Sequence, residues 1–519
     1  MRRLNLGALL VAASASCLCA GPVQTLIDAA NPGDTVSIPA GVFIDVLTID
    51  KDLTLRGAGL GKTIIDSDLE LNVVLVTGGH VVTLQGITFQ SSRPRIAPQH
   101  LPRVSQGLIH ATVPVSMIEC EVDGSHPGSD YLGGIFSSGH LTLVGCWIHH
   151  NDMLAVICES LSMTNCLVDQ NLTYSATIQC NGAAALGDSI VSENTTLTYG
   201  AVYLGQSATP SRIERTKFVA NISESEGSSP SALINLGTLE MSGCLFTEQW
   251  STSHAAFANH GTATVSDTTF SGNTVSERYD PRTAGIENYG TMILRSVTVV
   301  SNTVEAISPD RGYGGGGGIR NYGTLTMANC LVSGNRAYAT GTPFIFPGQD
   351  ILGSVISDGH NLILNTNDCV ITGDTTGNVY GKDPLLGPLQ DNGGPTPTHA
   401  LLPGSPAIAA GSPSMIGTSD QRGLPRYQGP GSRPDIGAYQ TLSRPTPVIF
   451  PLASDDPALF LALLVGEPTT PYKLQQAGEI TNPTWTEVTD LTTDRGGFAR
   501  FATPRTSSET KTFLRVTKP

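Results

Sequence analysis

Short apolar segments with inward–outward alternation recur along this chain on one shared template. The stretch Gly317–Asn335 shows it most fully. From Gly323, Leu325 and Met327 alternate inward, Cys330 and Val332 follow a bend, and Asn335 ends the unit. With position 0 at Gly323, equivalents fall at Gly290, Gly261, Gly237, Thr209, Gly182, Glu159 and Gly139, with weaker copies at Val113, His80 and Lys51. Position +4 reads Leu143, Met163, Leu186, Ile213, Met241, Val265, Leu294, Met327. Position +9 reads Ile148, Val168, Val191, Phe218, Phe246, Phe270, Val299, Val332. Position +7 is small (Cys146, Cys166, Ser189, Thr216, Cys244, Thr268, Val297, Cys330), and position +12 is Asn in seven of these eight copies, Gln249 being the exception.

From Gly139 to Gly323 the copies are spaced by 20 to 33 residues. A period in this range marks a repeat architecture, and alternation with period 2 marks strands rather than helices. Strands that regain the same phase after each copy must stack in parallel, and parallel connections favour a right-handed path. The pattern therefore predicts an all-β chain, a right-handed parallel β-helix of about ten to eleven coils, roughly 50 Å long at about 4.8 Å per coil. The aligned Asn235, Asn259, Asn288 and Asn321, with the +12 set, are expected to hydrogen-bond up the stack and hold its turns. Length variation places the extra residues in loops, chiefly Ser91–Ser105, Gly124–Leu132, Asn221–Ser231 and Thr303–Gly316.

The flanks follow other patterns. Residues 1–20 read as a signal peptide: Arg2 and Arg3, an apolar run from Leu4 to Ala13, then small residues. Val23, Leu26 and Ile27 suit a short amphipathic helix ended by Asn31-Pro32-Gly33, which would cover the open first coil. The main solenoid unit is expected over 21–350. Residues 351–442 break the period and are expected to close the last coil. There Asp383, Asp391, Asp420 and Asp435 each lie near a Gly or Pro, as turn residues do. A Pro-bearing linker, Ser443–Pro451, precedes a last module, the two spanning 443–519. Its strands at Phe460–Val465, Tyr472–Gln476, Thr484–Val488, Phe498–Phe501 and Phe513–Val516 predict a small β-sandwich.

Two stretches carry a resemblance. The opening helix with the Gly33–Phe43 run GDTVSIPAGVF resembles the N-terminal cap and first rung of pectin-lyase-like β-helix proteins. The runs Asp358–Leu364, Asp383–Gly411, Asp420–Arg426 and Arg433–Gln440 resemble the choice-of-anchor Q domain of secreted bacterial β-helix proteins. The resemblance implies a secreted, extracellular or outer-surface location. It also implies a scaffold that hosts polysaccharide lyases, glycosidases, esterases, adhesins and structural shafts. Fold alone does not choose among these.

Composition narrows the choice. The 519 residues include 57 Gly and 33 Pro but only 14% charged residues, which suits turn-rich β structure. A net charge of -15 argues against nucleic acid, whose phosphates need a basic face. No later apolar run reaches the length of a membrane span, so no transmembrane segment is expected after the leader. Of the ten Cys, Cys120, Cys146, Cys166, Cys244 and Cys330 share the small inward position and read as buried ladder residues rather than a disulfide framework.

One constellation carries candidate chemistry. Position +10 holds Asp123, His149 and Asp169 on three consecutive coils and is expected to point outward; position +11 adds His150 and Glu193. Stacking would bring these within reach of one cation or sugar. Calcium at Asp123 and Asp169 is one expectation, and Asp123, His149 and Asp169 are the catalytic candidates if the chain is an enzyme. Arg212, Arg215 and Lys217 lie one or two coils further on. Trp147, His150, Glu193 and Tyr131 are binding candidates, with Tyr203, Tyr313 and Tyr322 as further aromatic faces. The competing role for this set is an ordinary solvated turn face. The leading expectation is a monomeric, non-catalytic surface protein that binds extracellular or cell-wall polysaccharide or acts as an adhesin. A lyase acting on acidic polysaccharide and a purely structural shaft are the alternatives.

Overall fold

The computed structural model describes residues 21–67, 73–90, 108–124, 134–153, 155–224, 230–277, 282–306, 315–340, 346–426, 433–441, 448–452, 459–465, 471–477, 484–493, 498–504 and 513–517. The proposed leader, Tyr131 and Tyr313 lie outside the described residues, as do most of the four long loops.

Parallel strands stack in three walls. The first sheet holds 23 strands in two rows that meet at position 0, the second holds 14 and the third holds 8. One coil shows the path. Phe257–Asn259 leads through Gly261 to Thr262–Ser266, then Thr269–Ser271, then Thr274–Glu277. Position 0 is the tightest point: a Cβ on Gly290 would overlap the carbonyl oxygen of Gly261 in the coil before it, and Gly323 stands in the same relation to Gly290. The bends between walls use left-handed residues. Asp267 (φ 45°) turns the chain into the second sheet and Ser301 (φ 58°) turns it out again; their equivalents in other coils do likewise.

Interior alternation is as the pattern predicts. Phe218, Phe246 and Phe270 stack face to face at 4.4 and 4.5 Å. Burying each ring stabilises the stack by about 2–3 kcal/mol. The +12 ladder is buried, and only at Gln249 is the side-chain link replaced by a main-chain one, Gln249 N to Asn273 Oδ1 (3.2 Å). Asn273 Nδ2 donates to Asn302 Oδ1 at 2.7 Å, Asn302 Nδ2 to Asn335 Oδ1 at 2.8 Å, and Asn335 Nδ2 to Asp350 Oδ1 at 2.8 Å, where the ladder ends. Each Asn amide of the ladder also reaches a main-chain carbonyl of the preceding coil, as Asn302 Nδ2 does at Phe270 O (3.1 Å), whereas Gln249 Nε2 donates to Thr247 O of its own coil (2.8 Å). The five small-position thiols are buried and free; burial pushes those of Cys244 and Cys330 up to about 12.

The N-terminal helix is Pro22–Ala29, with Val23 and Ile27 buried. Its first N–H groups donate to Asp45 Oδ2 from Val23 (2.8 Å) and Gln24 (3.0 Å). Lys51 Nζ donates to the carbonyls of Ile27 (3.1 Å) and Ala30 (3.2 Å) at the other end, so both helix poles meet a complementary charge.

Several elements depart from expectation. The second sheet has fourteen rungs rather than ten or eleven. A rung at Gly41–Ile44 precedes the first copy, and after Lys51 a loop through Gly57–Lys62 displaces the inward residue to Ile65, which masks the period. At the other end Ile351–Asp358 and Cys369–Asp374 continue the first sheet, and Leu362–Ile363 and Val379–Tyr380 the second, so the period is stretched there rather than broken. From Leu386 the chain leaves the stack and packs against its side. An antiparallel pair, Leu386–Gln390 with Thr398–Leu401, and the turns that follow lie back along the outer face of the second sheet.

That cover is held at many points. Thr396 Oγ1 donates to Gly243 O (2.9 Å), Thr269 Oγ1 to Gln421 Oε1 (2.6 Å), and Ala438 N to Thr298 Oγ1 (2.9 Å). Fully buried Arg426 reaches Asp267 Oδ1 at 2.7 Å. Val300, Leu331 and Leu362 of the sheet pack with Leu401, Ala407 and Ile436 of the cover. Its aspartates shape turns: Asp383 accepts from Leu385 N (2.9 Å), Asp391 from Gly393 N (2.9 Å), and Asp420 from Arg422 N and Leu424 N (both 2.9 Å).

The last module has two three-stranded antiparallel sheets around Ala462, Leu464, Tyr472, Leu474, Leu491 and Phe501. Its first strand, Val448–Leu452, falls in the segment expected to be linker. Pro451 is tolerated because this strand pairs on one side only. Among the described residues no helix is long and apolar enough to cross a membrane.

Candidate functional site

The cover stops at the rung Leu245–Thr247. Among the described residues, the rungs before it, from Glu121–Asp123 to Lys217–Val219, leave their outward residues partly exposed, buried His149 excepted. On this bare half the outward positions form two rows. Position +8 runs Glu121, Trp147, Leu167, Ile190, Lys217, and position +10 runs Asp123, His149, Asp169, Ser192, Val219, in direct register.

Asp123, His149 and Asp169 therefore do align, but His149 is not an open, solvated residue. It is 4% exposed, with its ring stacked on Trp147 at 3.8 Å. His149 Nε2 lies 3.1 Å from Glu121 Oε1, and Thr88 Oγ1 donates to Glu121 Oε2 at 2.6 Å. On its other side His149 Nδ1 lies 2.7 Å from His150 Nδ1. Asp123 Oδ1 stands 3.6 Å from His149 Nδ1 and 3.8 Å from His150 Nδ1. Neighbouring residues of a regular strand point to opposite faces. His150 shares the side of His149 because it occupies the left-handed bend (φ 51°).

Asp169 is drawn elsewhere: its Oδ1 accepts the Trp147 indole N–H at 2.7 Å. That bond sets the tilt of the indole, which remains 37% exposed. Beside Trp147 an open groove of about 440 Å³ runs over Leu167 and Ile190 toward Asp188. Glu193 occupies its own left-handed bend two coils from His150 and accepts from Gln170 Nε2 (3.1 Å), so it does not join the cluster. Arg215 is held by Asp188 (2.7 Å) and Glu214 (2.9 Å), which raise its pKa, and Arg212 by Glu240 (3.1 Å). Tyr322 stacks on Tyr289 (4.9 Å), which stacks in turn on His260 (4.6 Å), on the first sheet, and Tyr203 leans on Tyr199.

Glu121 is the residue the sequence pattern did not single out. It shares the outward parity of Asp123 and is the register partner of Trp147, which is the signal that would have found it. The calcium expected at Asp123 and Asp169 does not fit here. Calcium takes six to eight oxygen ligands, whereas Asp123 faces two imidazole nitrogens and Asp169 is engaged by an indole.

Fold and site together define a parallel β-helix solenoid protein with one bare, aromatic-bearing half-face. A scan against models of known protein families finds no match, and no curated protein sequence matches the chain.

Proposed function

We propose that this is a secreted or cell-surface β-helix protein of the pectin-lyase-like kind, with a choice-of-anchor Q-like cover, that binds extracellular or cell-wall polysaccharide without cleaving it. The observation that carries this reading is the contrast along the second sheet. The chain spends its own residues covering one half of the outer face and leaves the other half with an oriented Trp147, the half-buried Leu167 and Ile190, and a parallel row of polar groups. Aromatic faces beside hydrogen-bonding groups are what a sugar's apolar face and hydroxyls require. The groove is open and extended, which suits a polymer lying across the coils.

A cation-dependent lyase needs a carboxylate cluster to hold the cation that binds the uronate, and a base beside it to remove the proton α to the uronate carboxyl. Among the described residues, Arg212 and Arg215 are tied up in ion pairs, and Lys217 stands three rungs beyond Trp147. The geometry thus supports binding over cleavage. The test incubates purified residues 21–519 with a panel of acidic and neutral polysaccharides. It follows pull-down together with the ultraviolet absorbance of unsaturated uronate, with calcium and with chelator. Retention without an absorbance rise is the expected result. A rise would make the protein a lyase, and neither signal would leave a structural shaft.

A further inference from the structure

The structure assigns to Asp123, His149 and His150 a divalent transition-metal site of the zinc type. This goes beyond polysaccharide binding and stands without it. The three donor atoms form a triangle with sides of 2.7, 3.6 and 3.8 Å. Tetrahedral zinc with ligands at about 2.0–2.1 Å separates neighbouring donors by about 3.3 Å. The triangle averages close to that edge; the two imidazoles need to part by about 0.6 Å and Asp123 to approach them by about 0.3–0.5 Å.

The support behind the triangle is a second, independent sign. Metal-binding imidazoles characteristically donate their other N–H to a carboxylate. His149 has this partner in Glu121, itself fixed by Thr88, in a pocket where Glu121 is 14% exposed. With the proton on Nε2, the Nδ1 lone pair of His149 points at the centre of the triangle. It then receives the His150 Nδ1–H, so metal entry needs only the His150 proton to move to Nε2, on a side chain 46% exposed to water. No net proton need leave. Two nitrogens and one carboxylate oxygen suit zinc, cobalt, nickel or copper and not calcium or magnesium. Three protein ligands leave a fourth position open on the bare face, where water or a ligand oxygen can bind.

The test titrates metal-free residues 21–519, without an affinity tag, by calorimetry with Zn²⁺ and separately with Ca²⁺. The visible absorption of bound Co²⁺ then reports the geometry. One equivalent of Zn²⁺, a tetrahedral Co²⁺ spectrum and no Ca²⁺ heat are expected. His150→Gly suits the left-handed bend, so it keeps the melting temperature while weakening Zn²⁺ by more than about a hundredfold. Glu121→Gln weakens it by about tenfold. Absence of Zn²⁺ binding to the unaltered chain, or binding unchanged in a folded His150→Gly, would overturn the assignment.

Discussion

The two halves of the second sheet's outer face are built on one register and yet behave as different surfaces. In the later half, from Leu245 to Ile363, the outward residues are Leu, Thr, Val and Ser, and nearly all are buried beneath residues 386–440. In the earlier half the same positions hold Glu121, Asp123, Trp147, Asp169 and Lys217, and most are partly exposed. Inward positions do not change between halves. The backbone solenoid is thus indifferent to what its outward positions carry, and the cover decides which of them serve stability and which remain free to meet a ligand.

The largest effect that would break this contrast is expected at Arg426. Its guanidinium reaches Asp267 on the sheet and the carbonyl of Gly437 (2.9 Å) in the cover. Arg426→Ala leaves the part-buried Asp267 carboxylate without its partner and empties a fully buried site, and should destabilise the solenoid by about 3–4 kcal/mol, seen as a lower melting temperature with new protease cleavage within 386–440. Next comes a matched pair. Leu331 and Leu167 occupy the same outward position, one covered at 1% exposure and one half-buried. Leu331→Ala should cost about 3 kcal/mol and Leu167→Ala under about 1 kcal/mol, both read by denaturant melts; equal costs would erase the distinction between halves.

On the bare side, Trp147→Ala should lower stability by about 1 kcal/mol and weaken glycan binding about tenfold, or about 1.4 kcal/mol, by affinity electrophoresis. The smallest effect concerns pH. His399 links the cover to Ser271 (Nε2 to Oγ, 2.8 Å), and burial lowers its pKa below the usual imidazole value. The unfolded chain then takes up the proton first on acidification. The stability this group contributes is complete above about pH 6.5 and is lost as pH falls below it. His399→Gln should flatten that part of the melting temperature profile.

Much of the stack was legible because its causes repeat. Inward Met and Phe residues, the Gly at position 0 and the buried Asn at +12 answer local constraints that recur each coil. The cover was not legible as a lateral clamp. Its bonds join residues 152 and 159 apart, as Thr269–Gln421 and Asp267–Arg426, and nothing local marks Gln421 or Arg426 as facing a sheet. Alignment of Asp123, His149 and Asp169 followed from register alone. The burial of His149 did not, because it depends on Trp147 folding over it and on Glu121 below. Nor could alternation show that His150 would face His149, since a left-handed residue reverses the parity that alternation assumes.

The central claim is that ligand contacts the bare half of the second sheet and not the covered half or the aromatic stack of the first sheet. Side-chain footprinting of residues 21–519, with and without a retained polysaccharide, tests it directly. Protection centred on Trp147, Leu167 and Ile190, with the 386–440 segment unchanged, is the predicted result. Protection at His260, Tyr289 and Tyr322 instead, or none on the second sheet, would contradict it.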